Sequence, residues 1–245
     1  MNPSPPLTDL NGLDAQLSSA GFAVIAAPSL ARLSGVTLGQ LQAWQPFWDD
    51  LPYDPHLRDG GRYRRRRHGS FVVDGENVVA VPQRAHWQPL DYNALHGGIE
   101  RWFDALPAAL VDDVAWAALL GALGGCASRL RGAQRWFVEA HPFRIDTAAD
   151  GIGRPTPEGA HRDGVDLVVV ILVGRHNVKG GETRVFDAGG PQGLRFTLSE
   201  AWSALLLDDA RVIHESTPIQ PQDATLPAQR DTLVLTYRAG GFQDA

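Results

Sequence analysis

Ala204-Leu205-Leu206-Leu207-Asp208-Asp209-Ala210-Arg211-Val212-Ile213-His214-Glu215-Ser216 reads as two short apolar strands around an acidic turn. Outward from it the same pattern repeats. Strands are expected at Trp136 to His141, Asp166 to Val173, Thr183 to Phe186, Leu194 to Leu198, Ala204 to Leu207, Val212 to Ser216 and Thr232 to Tyr237. Between them lie turn residues: Gly180-Gly181, Gly189-Gly190-Pro191, Asp208-Asp209 and the stretch from Pro218 to Pro227. Short runs rich in β-branched residues, each closed by a turn, predict an antiparallel sandwich or jelly roll beginning near residue 133.

Before residue 133 the period changes. Leu10, Leu13 and Leu17 recur at helical spacing until Gly21, and a short apolar run from Phe22 to Ile25 follows as a strand. A second helix is expected from Thr37, carrying Leu38, Leu41, Trp44, Phe47 and Trp48 inward. Phe71 to Val79, with β-branched arms around Asp74-Gly75, predicts a hairpin near residues 70–81. From Ile99 to about Leu130 the pattern again reads helical, with Trp102, Phe103, Leu106, Val114, Trp116, Leu119, Leu120 and Leu123. The expectation is one domain over 1–245, mainly β with α, in which residues 1–132 form a helical supporting half and 133–245 the β half.

Composition narrows the function. The 245 residues are 44% hydrophobic and 20% charged, ordinary for a globular chain. With 22 Lys+Arg against 28 Asp+Glu the net charge is −6, so the average surface repels polyanions and no nucleic-acid partner is expected. A single cysteine, Cys126, excludes an internal disulfide and a cysteine-based zinc cluster, leaving imidazole and carboxylate as metal ligands. The N-terminal Met1-Asn2-Pro3-Ser4-Pro5-Pro6 lacks a basic segment followed by an apolar one, and no apolar run approaches the roughly 18 residues of a membrane span. A cytoplasmic location without membrane contact is the expectation.

The chemistry centres on His161-Arg162-Asp163. In an extended chain, positions i and i+2 face the same side, so one imidazole and one carboxylate can reach one ion. His214 lies 53 residues on, in a predicted strand that a jelly roll can bring alongside. Alone it would read as a hydrogen-bonded strand histidine. Two imidazoles and a carboxylate on one face of a metal leave adjacent coordination positions open, the arrangement of non-haem Fe(II) oxygenases. Arg230 opens the strand Arg230-Asp231-Thr232-Leu233-Val234-Leu235-Thr236-Tyr237, with Thr232 and Thr236 on its face. Its guanidinium could hold a carboxylate bidentately with help from a hydroxyl, or it could be an edge arginine paired with a surface acid. His56, His68, His86, His96 and His176 have no partner at informative spacing and read as surface or packing residues, and Asp187, Asp208 and Asp209 as turn acids. The Gly- and Pro-rich segment from Thr147 to Gly159, directly before His161, reads as a flap.

These residues, with Gly174 to Thr183, Asp208 to His214, Thr217-Pro218-Ile219 and Arg230 to Thr236, resemble the Fe(II)/2-oxoglutarate-dependent dioxygenases. More narrowly, the chain resembles the bacterial branch that hydroxylates free L-amino acids, with its L-isoleucine dioxygenase-like and biofilm-stress-motility protein A-like members. Gly61-Arg62-Tyr63-Arg64-Arg65-Arg66-Arg67, Gln88-Pro89-Leu90-Asp91-Tyr92-Asn93 and Glu139-Ala140-His141-Pro142-Phe143-Arg144 carry the likeness upstream. The resemblance implies a double-stranded β-helix (a cupin-like jelly roll) flanked by N-terminal helices. It also implies Fe(II) held by His161, Asp163 and His214, with 2-oxoglutarate and O2 as cosubstrates. Arg230 and Thr232 would bind 2-oxoglutarate, and succinate and CO2 would be released. The substrate would be a small molecule, an amino acid, met by residues among Arg64, Arg66, Asn93, His141 and Arg144. Arg64 and Arg66 share a face if their segment is a strand. His141 and Arg144 are opposed, so at most one faces the site unless Pro142 reorients the chain. The arginine run could instead bind phosphates, a reading the overall charge opposes. A stress or biofilm regulator that keeps the fold without turnover, and a cupin-like scaffold holding another metal, are the alternative functions.

Overall fold

The computed structural model describes residues 3–92, 95, 97–147 and 150–244. Its elements are, in order, α1 (Leu13–Ala20), β1 (Phe22–Ile25), α2 (Ala27–Ser34), α3 (Leu38–Ala43), β2 (Arg64–Arg66), β3 (Gly69–Asp74), β4 (Asn77–Ala80), α4 (Ala108–Val111), α5 (Val114–Arg131), β5 (Trp136–Asp146), β6 (Leu167–His176), β7 (Val178–Gly180), β8 (Thr183–Asp187), β9 (Gly193–Phe196), β10 (Ala204–Asp208), β11 (Val212–Ser216), β12 (Ile219–Pro221) and β13 (Gln229–Arg238). A large antiparallel sheet runs β1-β10-β6-β13-β5-β3-β4, with β2 also pairing β5. Two smaller sheets, β11-β8-β9 and β12-β7, form the second layer of a jelly roll.

The strands of the large sheet alternate as a two-sided layer must. Leu233, Leu235 and Tyr237 of β13 join Val138 and Ala140 of β5 and Val169 and Ile171 of β6 in one core beneath the helices. The intervening residues face the smaller sheets, where Val168, Leu172, Leu205 and Leu207 meet Val185, Phe196 and Val212. The helical layer is fastened by polar bonds as well as packing. Thr37 and Gln40 form a capping box at the start of α3. The one-turn helix Gln45–Trp48 that follows carries Trp48, whose indole N–H donates to the Thr232 carbonyl of β13 at 3.1 Å. Trp44 donates to Asp113, the residue that caps α5, at 2.7 Å and packs edge-on against Trp116 and Trp202.

The expected β strands are all present. β5 runs five residues past His141, through Pro142. That proline is tolerated because it lies where β2, which pairs residues 143–145, gives way to β3, which pairs 136–140: its carbonyl accepts the Arg67 N–H at 3.3 Å, and the one bond its missing N–H costs falls at this break in the ladder. Arg64 to Arg66 is a strand, and β1 to β4 of the first half belong to the large sheet. The helix α2 lies outside the expected elements: it has no side-chain N-cap, and only eight residues carry its period. The expected helix from Ile99 begins only at Ala108. Pro107 disfavours helical geometry at Leu106, and Arg101 instead exchanges two backbone hydrogen bonds with His86, at 2.9 and 3.0 Å. Trp102 consequently points outward, 55% exposed.

Leu206 is fully buried in β10 between the helices and the sheet. Leu206→Ala is expected to lower unfolding free energy by about 2–5 kcal/mol, read from urea denaturation.

Candidate active site

A cavity separates the inner face of the large sheet from the smaller sheets and the segment before β6. Its floor follows from strand parity. Register places Ile145 of β5 between Arg64 and Arg230, and Phe143 between Arg66 and Thr232. Glu139, His141, Phe143 and Ile145 therefore point inward with Arg230, Thr232, Val234 and Thr236.

The opposite wall carries the histidine–aspartate set. His161 and His214 are joined by reciprocal backbone hydrogen bonds of 3.0 and 2.9 Å, which bring their rings to 4.7 Å between centroids. Asp163 presents Oδ1 at 3.9 Å from His161 Nε2 and Oδ2 at 3.8 Å from His214 Nε2. The turn acid Asp209 fixes that loop: its carboxylate accepts the backbone N–H groups of Asp163, Gly164 and Val165 at 3.0, 2.7 and 3.1 Å. Gly164 is required here, because its φ is +77° and a Cβ would lie 2.5 Å from the Tyr92 ring. Gln243 closes the other side, donating to the carbonyls of Asp163 and Gly164.

These groups suit a divalent metal. His161 Nδ1 sits 2.9 Å from the Gly159 carbonyl, so the proton resides on Nδ1 and Nε2 keeps its lone pair toward Asp163. Burial lowers the His214 pKa and keeps that ring neutral, as a ligand must be. Burial also acts to lower His161, but Asp163 and Glu158 outweigh it and raise its pKa, the mark of a pocket that attracts cations.

Arg230 is not an edge arginine. It sits in the central strand β13, 3% exposed, and its Nε and Nη2 have no hydrogen-bond partner. Burial brings its pKa down to about 10, still charged at neutral pH. A buried guanidinium with free donors, two residues from the Thr232 hydroxyl, fits the carboxylate of a dicarboxylic acid.

The upstream residues divide. Arg64 and Arg66 both line the cavity, but Arg64 is neutralised by Asp54 at 2.7 Å. Arg66 lies between the rings of Phe103 and Phe143 and donates to His141 Nδ1 at 2.7 Å. Of the opposed pair, His141 faces the cavity. Arg144 does not: β5 parity turns it to the other face, where it is held by Asp231 at 2.8 Å and Asp49 at 2.9 Å. Asn93 and His96 lie outside the described residues.

His68 and His86 are not surface or packing residues. With Glu139 and His141 they make a second buried group whose potential ligand atoms lie within 4.8 Å of one another. His68 Nε2 and His86 Nδ1 donate to the two oxygens of Glu139 at 3.0 and 3.2 Å, and His141 accepts from Arg66. With Arg66 and Arg84 adjacent, this group is a hydrogen-bonded network beside two positive charges, in which His68 Nδ1 is buried without a partner. Glu139 and His141 share a face of an evident strand, a parity visible in the sequence. His86, Gln88, Arg101 and Glu158 also line the cavity; Gln88 lies in a stretch that carries the family resemblance and Glu158 in the flap segment, while nothing in the local sequence marks His86 or Arg101.

Two predictions follow from this geometry. Asp209→Ala frees three N–H groups behind Asp163 and is expected to weaken Fe(II) binding about 10- to 100-fold, measured by anaerobic titration. Burial lowers the His86 pKa from 6.5 to about 3, so the unfolded chain protonates first as pH falls. Stability is complete above pH 6.5 and declines below it by about 1.4 kcal/mol per pH unit for this group. Glu139, held below the ordinary carboxylate range because burial is outweighed by His86 and His68, adds to the loss below pH 4.5. Urea denaturation between pH 7 and 4 is expected to show this slope, and His86→Gln to flatten it.

Comparison with known proteins agrees with the geometry. No curated protein matches the sequence. A bsmA homologue from Methylobium petroleophilum is 53% identical, with a TM-score of 0.92 over 98% of this chain and 97% of that one. The fold is shared with IDO from Bacillus thuringiensis, at 17% identity and TM-score 0.76 over 96% and 99% of the two chains. It is shared also with the Fe(II)/α-ketoglutarate-dependent dioxygenase TqaL, at 22% identity and TM-score 0.70 over 96% and 90%. The 2OG-Fe dioxygenase family model matches residues 45–236, and the chain belongs to that family: it is a non-haem iron dioxygenase that uses Fe(II), 2-oxoglutarate and O2.

Proposed function

We propose that this dioxygenase hydroxylates a free L-amino acid, releasing succinate and CO2. The observation that carries the reading is a pair of opposite charges lining one small cavity, each with one buried polar atom, Arg66 Nε and Glu158 Oε2, left without a hydrogen-bond partner. Arg66 is buried without an acidic partner among the described residues, and Glu158 lines the same cavity with Oε2 buried and unbonded. A carboxylate and an ammonium on one small molecule match both.

In this reading His161, Asp163 and His214 hold the iron, and Arg230 with Thr232 binds the distal carboxylate of 2-oxoglutarate. Iron, when bound, supplies the oxidising chemistry for the C–H bond. The protein supplies the rest. Val170 and Val234 keep that part of the cavity dry. The Gly159 carbonyl holds the His161 proton on Nδ1. Arg66 and the Nε2–H of His141 orient the substrate carboxylate. The flap before His161 is stitched down, since Thr156 Oγ1 donates to the Ser216 carbonyl at 3.0 Å and accepts its N–H at 3.1 Å, and this fixes Glu158 over the cavity.

Succinate release across a panel of the common L-amino acids tests the substrate class; a panel with no stimulated release would sink it. His161→Ala and Asp163→Ala are each expected to abolish turnover. Arg230→Ala is expected to raise the Kd for 2-oxoglutarate about 30-fold or more, as loss of a charge-assisted pair does.

A further inference from the structure

Arg101 is a buried charged side chain facing the cavity, 2% exposed, and the irregular stretch before Pro107 places it there. Its backbone is clamped to His86, its Nη2 donates to Gln88 Oε1 at 2.7 Å, and its Nε has no partner. No acidic side chain among the described residues forms an ion pair with Arg101 or with Arg66. Two buried guanidiniums lining one cavity repel each other; Asp54 and Glu139 act on both from a distance without pairing with either, and an anion seated at the unbonded Nε groups would give them a direct partner. Arg230 already provides for the distal carboxylate of 2-oxoglutarate, so this anion belongs to another molecule. Gln88 connects the two halves of the site: its Nε2 donates to Asp163 Oδ1 at 3.2 Å while its Oε1 accepts from Arg101.

We propose that Arg101, with Arg66, binds the carboxylate of the substrate, and that Gln88 is a positioning residue through which Arg101 transmits that occupancy to Asp163. The inference deepens the amino-acid reading above and rests on it only for the class of anion. When a carboxylate draws the Arg101 guanidinium toward itself, the hydrogen bond to Gln88 Oε1 changes. The amide turns with it, and the orientation of the Asp163 carboxylate follows. Binding of the correct molecule is thereby reported to the metal ligand through two hydrogen bonds.

The test uses full-length protein loaded anaerobically with Fe(II) and 2-oxoglutarate, and reads the visible absorption band of that complex. The probes are a mixture of the common L-amino acids, sodium propionate as a carboxylate without an amine, and propylamine as the reverse. In the wild type the amino acids and propionate are expected to shift the band, and propylamine to leave it unchanged. Arg101→Leu is expected to require at least tenfold more of either active probe, with 2-oxoglutarate affinity changed less than about twofold. Arg101→Lys, which keeps the charge should the leucine variant fold poorly, is expected to bind the probes with a smaller shift. Gln88→Leu is expected to retain probe binding by equilibrium dialysis within about threefold while losing the shift.

An unchanged shift in Arg101→Leu overturns the anion site, and a collapse of 2-oxoglutarate affinity there assigns Arg101 to the cosubstrate instead. A full shift in Gln88→Leu overturns the coupling. Should propionate act through Arg101 while the amino acids do nothing, the anion site stands and the amino-acid reading falls. Amino acids that act equally on wild type and Arg101→Leu leave that reading standing and remove this one. Silence of all probes on the wild type removes both.

Discussion

The register of β13 against β5 is the constraint on which the molecule depends. Because Arg230 lies across from Ile145 and Thr232 from Phe143, one parity of both strands meets the helices and the other meets the cavity. A shift of one residue would turn Leu233 and Leu235 into the cavity and Arg230 into the hydrophobic core. Apolar packing therefore fixes where the charges go. The Trp48 indole bonded to the Thr232 carbonyl locks the helical layer to the same strand.

That precision permits a site that would otherwise be unstable. Arg66, Arg101 and Arg230 are buried without acidic partners among the described residues, while Arg64, two residues before Arg66 on β2, is paired with Asp54, and Arg144 on β5 is paired with Asp231 and Asp49. An unpaired buried charge is costly, and the cost falls when a counter-ion arrives. The metal-ligand wall has the opposite character, with Asp163 and Glu158 facing His161. The cavity is thus divided into a face for a cation and two regions for anions. A metal and a dicarboxylate suit different parts of it, and the proposed amino-acid substrate would bring its carboxylate to the third.

The loop that bears Asp163 shows how much of the site is support. Three backbone N–H groups on Asp209, two carbonyls on Gln243 and the Gln88 amide on the carboxylate hold one ligand from three directions. Those partners lie 46, 80 and 75 residues from Asp163. No local pattern can announce them, because their chemistry is that of ordinary turn, tail and loop residues.

The sequence by itself determined most of the strands and their alternation, the helices α1, α3 and α5, and the His161, Asp163 and His214 spacing, because period and turn chemistry are local properties; β7 and β12, which fall on Gly180 and on the Pro218 to Pro227 stretch that reads as turn, form only by pairing with each other. It also carried the resemblance to the Fe(II)/2-oxoglutarate-dependent dioxygenases, which the family match supports. Only the tertiary structure decided which polar residues share the cavity. The helical period from Ile99 was overridden by Pro107 and by the pairing of Arg101 with His86, and that override delivers Arg101 to the site. Arg144 was separated from His141 by strand parity and claimed by Asp231. His68 and His86, uninformative by spacing, became meaningful once Glu139 stood between them. Charges find their partners through space, and a one-dimensional pattern records only the residues that the backbone itself brings together.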